Sequence, residues 1–479
     1  MPRIALPLAT GLTRGRSGQA GMAGLVNCYA EPLRGEGRTG MAVYPMPGKS
    51  LFSTIGGTFR GQLDFAGYHV AVVDDRLYTI ESDGTATDRG EVEGTERTDL
   101  DYNGAQLFIQ GQTKSYSFVP STAVLTEVTD SDFQGASSVC SLDGFTITTV
   151  PNSDQFQWFD VRDATSIDGL SFATAESNGD VNVAARVANK DLHLFGTKTV
   201  EFFYDSGNPD QQFESKSIPP LEIGCLARDS IVLTDTGFNW VGRDGKSGGL
   251  GVYRMVGGYQ ARKISTPAVD RFLEEYDTAL VPDIHALAFQ FHAHQFYVLH
   301  LPGTVSLYYD QATDTWGYMK SGAYAISSDP LGGWDAIGFA VNNGKRIVGA
   351  SDGNLYELDG TVYTEAGEVM VREIVCAQSS FPQSDRGAVV HKIGVDMETG
   401  VGLATGQGSD PLMMAALSKN GGKTWRALGD RSIGAVGEYK KNVFWTRQGA
   451  AQDLMLKMRV TDPVWFAAFN AFADVEPLA

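Results

Sequence analysis

From about residue 61 onward, short apolar runs alternate with polar or glycine turns, and every second run is rich in aromatics. The unit recurs as HVAVVDDRLYTI (69–80), AQLFIQGQTKSYSF (105–118), GFTITTVPNSDQFQWFDV (144–161), DLHLFGTKTVEFFYD (191–205), SIVLTDTGFNWVGRD (230–244), HQFYVLHLPGTVSLYYD (294–310) and KRIVGASDGNLYELD (345–359). Runs that alternate with period 2 and end on tight turns predict β-hairpins. Equivalent points at His69, Gln106, Phe145, Leu192, Ile231, Phe296 and Arg346 lie 37, 39, 47, 39, 65 and 50 residues apart. A degenerate repeat of about 40–50 residues built from hairpins predicts four-stranded propeller blades, because each blade must bury its faces against its neighbours. The expected fold is all-β: a propeller of six or seven blades, seven favoured.

The long fifth interval contains TPAVDRFLEEY, where Thr266 can cap, Pro267 suits the first helical position, and Val269, Phe272, Leu273 and Tyr276 share one face. One inserted helix is predicted. In DQATDTW (310–316) the Asp and Thr side chains and the closing Trp316 are expected to pin a turn between strands. Beyond about residue 371 the strands lengthen, as in VVHKIGVDMETG, LMMAALSKNGGKTW, KNVFWTRQGA and LMLKMRVTDPVW, which predicts a C-terminal β-sandwich-like domain. The closing VWFAAFNAFADV (464–475) fits a packed strand or a short helix. Residues 1–60 hold eleven glycines and little period-2 pattern, so an extended arm lying on other structure or on a partner is expected. The expected division is therefore 1–60 arm, 61–371 propeller and 372–479 C-terminal β-rich domain.

Composition agrees with this outline. The 479 residues include 56 glycines and only four cysteines, so turns are abundant and disulfide scaffolding is not. Cys28, Cys140, Cys225 and Cys376 form no CxxC pair and read as reduced structural thiols. No run reaches the roughly 18 apolar residues of a membrane helix, and the N-terminus is not expected to be a secretion signal. The net charge of −19 is concentrated: residues 1–60 carry a net of +5, residues 372–479 a net of +1, and residues 61–371 a net of −25. Such an acidic block disfavours gripping or reading nucleic acid, which requires cations to displace counterions; it also serves as a solubilising surface.

Candidate chemistry is sparse. SKNGGKTW places Ser418, Asn420, Gly422, Thr424 and Trp425 in an Asp-box-like pattern, with Asn420 in the Asp position. It predicts a structural hairpin turn, not catalysis. His292 and His294, at i and i+2 in an expected strand with His285 and His300 nearby, lack a partner at metal-ligand spacing, so no metal site is expected. GRDGKSGG (242–249) has Trp240 where a phosphate loop needs glycine, and no following helix. Adjacent carboxylates such as Asp74 and Asp75, or Glu274 and Glu275, point apart and cannot flank a scissile bond. No catalytic residue and no cofactor is expected.

Several segments together resemble the tail hub, or packaged-DNA stabilisation and head-to-tail joining, proteins of short-tailed double-stranded DNA bacteriophages. They are Leu6, Pro7 and Leu8, then VNCYAEP (26–32), PMPGKS (45–50), VEFFYDSG (200–207), the 294–316 stretch and KMRVTDPV (457–464). The resemblance implies a non-enzymatic structural virion protein that forms a homohexameric ring containing propeller domains. Its implied partners are further copies of itself, a portal-adaptor ring, a tail needle or fibre, tailspikes, and genomic DNA that passes without sequence-specific binding; the chain is not expected to insert into a membrane. It implies synthesis in the host cytoplasm and a final place in the virion tail. On this reading the basic arm reaches an adaptor chain and the acidic faces line the channel. A glycan-binding or glycan-hydrolysing propeller is the alternative, suggested by the Asn420 turn and by Trp158 and Trp240 if exposed; a protein-binding scaffold propeller is a third.

Overall fold

The computed structural model describes residues 2–16, 22–33, 40–175, 179–209, 211–245, 248–381 and 387–478. Seven antiparallel sheets follow one another along the chain. The first comprises Phe59–Phe65, Tyr68–Val73, Arg76–Ile80 and Ala86–Glu91; the second runs from Asp99–Tyr102 to Val124–Glu127, the third from Ser138–Leu142 to Phe172–Thr174, and the fourth from Asn182–Ala188 to Phe213–Ser215. The fifth extends from Ile223–Cys225 to Gln260–Lys263 and the sixth from His285–Phe291 to Thr315–Met319. The seventh joins Ala336–Asn342, Lys345–Ala350 and Leu355–Asp359 to Gly48–Ser53, a strand supplied from the N-terminal segment. These are the blades of a seven-bladed β-propeller.

Six of the seven expected hairpins form the two middle strands of a blade. The fifth differs. There Val232–Thr234 and Gly237–Asp244 pair as the inner hairpin, because the inner strand is broken after Ile223–Cys225 by a 3-10 turn at Arg228–Ser230. The inserted helix forms over Pro267–Glu275 and buries Ala268, Val269, Phe272 and Leu273. Thr266 occupies the cap position, but its hydroxyl makes no cap bond and is left unpartnered; Asp270 instead accepts from Ser265 and Lys263. At the 310–316 turn Asp310 accepts from the Ala312 amide and the Thr313 hydroxyl, at 3.0 and 2.7 Å, and Trp316 is buried.

The C-terminal residues form two facing sheets. One is ordered Cys28–Pro32, Met41–Pro45, Ala468–Pro477, Ala388–Met397 and Val443–Ala451, with Arg3–Leu6 also paired to Ala468–Pro477. The other carries Arg372–Val375, Asp453–Val460 and Leu412–Ser418, continuous through Met22–Val26 with the sixth blade. Between them lies an apolar core that includes Leu25, Val390, Ile393, Trp445, Leu456, Phe466 and Val475. The closing apolar segment is therefore a strand, buried in the core of its own chain.

Within residues 1–60, the described strands pair with other strands of the same chain. They enter the sandwich sheets and the seventh blade, where sheet pairing satisfies the backbone and leaves no free arm among them. Two compact units result: Met1–Ser50, Gln290–Trp334 and Leu358–Ala479 form one, and Leu51–Phe289 with Asp335–Glu357 form the other. Each is discontinuous in sequence.

Candidate functional site

In the second unit one strand from each of the seven blades converges on a cavity of about 710 Å³. Its wall includes Phe59 to Leu63, Asp99 to Asp101, Val139 to Ser141, Arg186, Ile231 to Leu233, Ala286 to Ala288, and Gly338 with Phe339. The charges here are tied to one another. Arg186 grips both oxygens of Asp99 at 2.7 and 3.2 Å. Arg228, delivered by the 3-10 turn, grips both oxygens of Asp229 at 2.9 and 3.1 Å and donates to Gln110 Oε1 and to the carbonyls of Ser137 and Arg97. Arg97 adds a contact to Asp229 at 3.7 Å. Burial opposes ionisation of Asp229, but Arg228 and Arg97 beside it hold its carboxyl down at about 2.

Asp101 makes no ion pair among the described residues, and Arg186 only attracts it from a distance. It accepts from the Tyr102 amide at 2.9 Å, and burial pushes its carboxyl up to about 6. A folded-state value above that of the unfolded chain means that the ionised carboxylate weakens the fold above about pH 6, and that this loss disappears as pH falls toward about 4. Asp101→Asn is therefore expected to raise stability at pH 7 by up to about 2 kcal/mol, after allowance for screening by cavity solvent, and to leave it unchanged at pH 4. Thermal midpoints of both proteins at the two pH values check this; equal midpoints at pH 7 would refute it.

The Asp-box-like residues lie in the sandwich unit and form one hairpin turn. Ser418 Oγ accepts from the Gly422 amide at 2.9 Å, Asn420 Oδ1 accepts from the Thr424 amide at 3.0 Å, and Asn420 Nδ2 donates to Thr424 Oγ1 at 2.8 Å. Gly422 adopts φ +82°, in the left-handed region that side chains resist. Trp425 is half-buried beneath the Lys457 ammonium, 4.6 Å from its ring centre. The polar atoms serve the turn itself.

His292 does not lie in a strand with His294, although both meet Tyr29. His292 and Ala293 both take positive φ, at 46° and 63°, so they are the two central residues of a tight turn. His292 Nδ1 meets the Tyr29 hydroxyl, His294 Nδ1 meets Asp310, His300 Nδ1 meets Ser306 Oγ, and His285 Nδ1 meets the Asp283 carbonyl. Among the described residues no group of three or more His, Cys, Asp or Glu is placed to hold a metal. Lys246 and Ser247 of the glycine-rich loop lie outside the described residues. All four cysteines are free and buried, and burial pushes the thiols of Cys28, Cys225 and Cys376 up to about 12. Trp158 and Trp240 are not exposed: Trp158 packs edge-on to Phe213, and Trp240 is enclosed by Phe195 and Tyr253.

Sequence reasoning missed a second buried charge cluster, in the sandwich unit. Glu373, fully enclosed, accepts from Arg459 Nε and Nη2 at 2.8 and 2.5 Å and lies 3.6 Å from Lys457 Nζ. Lys457 also donates to the Ser328 carbonyl at 3.0 Å, and Arg459 to the Tyr324 carbonyl at 2.5 Å. The only local trace was the pair of cations alternating with apolar residues in LMLKMRV, a pattern that ordinarily marks the solvent face of a strand.

Among solved structures the chain is similar to the WD40 domain of Neurospora crassa Pan2, at 9% identity and TM-score 0.42, covering 66% of this chain and 94% of that one. It is also similar to the WD40 β-propeller domain of Doa1, at 15% identity and TM-score 0.37, with coverage of 66% and 97%. No curated protein matches the sequence. Two family models do. One, described as the β-propeller of bacteriophage P22 Gp10, matches residues 4–363, and the other, described as the β-sandwich of the same protein, matches residues 373–476. With both parts matched in order over nearly the whole chain, the protein belongs to the bacteriophage P22 Gp10 family and is a phage structural protein of the tail hub.

Proposed function

We propose that the chain is the subunit of a homohexameric ring at the head-to-tail junction of a short-tailed phage. The ring joins the portal-adaptor ring to the distal needle or fibre, bears tailspikes at its side, helps retain the packaged genome and forms part of the ejection channel. The observation that carries this reading is the ordered match of both domains to the P22 Gp10 family. Charge supports it: a propeller block of net −25, repeated around a ring, lets DNA pass without adhesion where its acidic faces meet the channel. The role requires no bond chemistry, and in the central cavity each arginine is already spent on an aspartate or a carbonyl. Synthesis takes place in the host cytoplasm and the protein ends in the virion.

The test is electron microscopy of the purified chain alone and with a portal-adaptor complex. Six-fold rings on the adaptor end are expected. A chain that stays monomeric and unbound beside intact portal-adaptor complexes, or that hydrolyses a glycan, would overturn the proposal.

A further inference from the structure

Among the described residues of the sandwich unit the strand Val443–Ala451 ends its sheet, with Ala388–Met397 on one side only. A nine-residue edge is long enough to accept a strand from another molecule, and its Gly449 and Ala450 are exposed and small, so side chains offer little obstruction. The other edges differ. Cys28–Pro32 terminates on a proline, and the facing sheet ends in two-residue strands, Arg426–Ala427 and Arg431–Ser432.

Three cations cover the long edge. Lys419, held in the middle of the Ser418–Asn420 turn, donates from Nζ to the carbonyls of Gln448 and Ala450 at 2.6 and 2.8 Å. Arg431 Nε donates to the Phe444 carbonyl at 2.9 Å, and Arg426 Nη2 to Gln448 Oε1 at 2.6 Å. Gly449 lies under the lysine, since a Cβ there would stand 3.5 Å from Nζ. The ladder is further bent where Val390 pairs with Gly449 but Lys392 with Thr446, and Arg447 takes φ +61°. Each of these carbonyls keeps a second lone pair, but the ammonium or guanidinium seated on it occupies the space and supplies the positive charge where an incoming strand's N–H would have to approach.

We infer that Lys419 and Arg431 act as a latch that closes this edge against strand addition by a second copy of the same chain. The asparagine turn has a purpose beyond closing its own hairpin: it aims Lys419 across to the neighbouring sheet. The latch keeps a β-rich chain from pairing edge to edge through this strand. It does not depend on the ring proposed above.

The test replaces both cations, K419M with R431L, and follows mass by light scattering across a concentration series. The double variant is expected to gain a concentration-dependent species of about twice the wild-type mass, as an edge-to-edge pair would. Adding Ala450→Pro, at a residue whose carbonyl faces the latch and away from the ladder, is expected to abolish that species, while Lys419→Arg, which keeps a donor over the carbonyls, behaves as the wild type. If the double variant loses its near-ultraviolet circular dichroism, the single K419M variant carries the same comparison. A folded variant with the wild-type mass at every concentration would overturn the inference. So would association that Ala450→Pro leaves intact.

Discussion

Glu373→Gln is expected to destabilise the sandwich unit by about 3–5 kcal/mol, the largest effect of any substitution considered for this chain. The side chain is fully buried, and the two cations it serves, Lys457 and Arg459, are 2% and 4% exposed. Burial raises the carboxyl of Glu373 and lowers the ammonium of Lys457, each against the pull of the opposite charge. Both directions say that desolvation outweighs the attraction, so the cluster contributes little over a well-packed apolar substitute. Loss of the carboxylate alone is another matter, because it leaves two enclosed cations two residues apart on the strand Asp453–Val460 with no opposite charge between them. The sign of the partner effect follows: Glu373→Gln combined with Lys457→Met should recover part of the loss. Urea unfolding of the single and double variants measures both terms. A double variant no more stable than Glu373→Gln would refute this account of the cluster.

Arg60→Met is expected to cost the propeller unit about 3 kcal/mol. Arg60 is 1% exposed and makes no ion pair among the described residues; one guanidinium reaches four carbonyl oxygens, those of Glu96, Asp74, Val92 and Glu93, at 2.7 to 2.9 Å. It fastens the 92–96 connection between the first two blades to the turn at Asp74. Methionine fills the space but donates nothing, so several enclosed carbonyls lose their partner at once. Lysine keeps the charge but lacks the planar fork, and Arg60→Lys should recover less than half of the loss. A thermal midpoint unchanged in Arg60→Met would show that solvent satisfies these carbonyls.

The blades were legible because their hairpins are local. Asp143 with Gly144, and Asn343 with Gly344, take paired positive φ values, the backbone of tight two-residue turns, and those residue types announce it. The His292–Ala293 turn has the same backbone with neither glycine nor asparagine, so the stretch reads as continuous strand and its histidines seem to share a face. In the fifth blade the broken inner strand left no periodic signal, since Ile223–Cys225 and Val232–Thr234 are three residues each. The tryptophans failed for a different reason: an indole suits a buried slot or a surface groove equally well, and its neighbours Phe195, Phe213 and Tyr253 come from other strands. The asparagine turn itself was readable, but the carbonyls its lysine covers were not.

The amino-acid sequence by itself determined the all-β class, the inserted helix and the asparagine turn, because each depends on residues within a few tens of positions of one another, and its motifs from residue 6 to 464 together marked the family; the blade count it left at six or seven, since the last blade is closed by a strand from residues 48–53. Only the tertiary structure decided which charges meet. Arg186 finds the Asp99 carboxylate across 87 residues, while Arg228 finds the backbone carbonyl of Arg97 across 131 and Arg459 that of Tyr324 across 135. It also decided that the N-terminal strands complete sheets begun hundreds of residues later. Such pairings are set by how blades and sheets stack. Stacking is driven by non-directional apolar burial that leaves no spacing in the chain to mark which polar groups it will bring together.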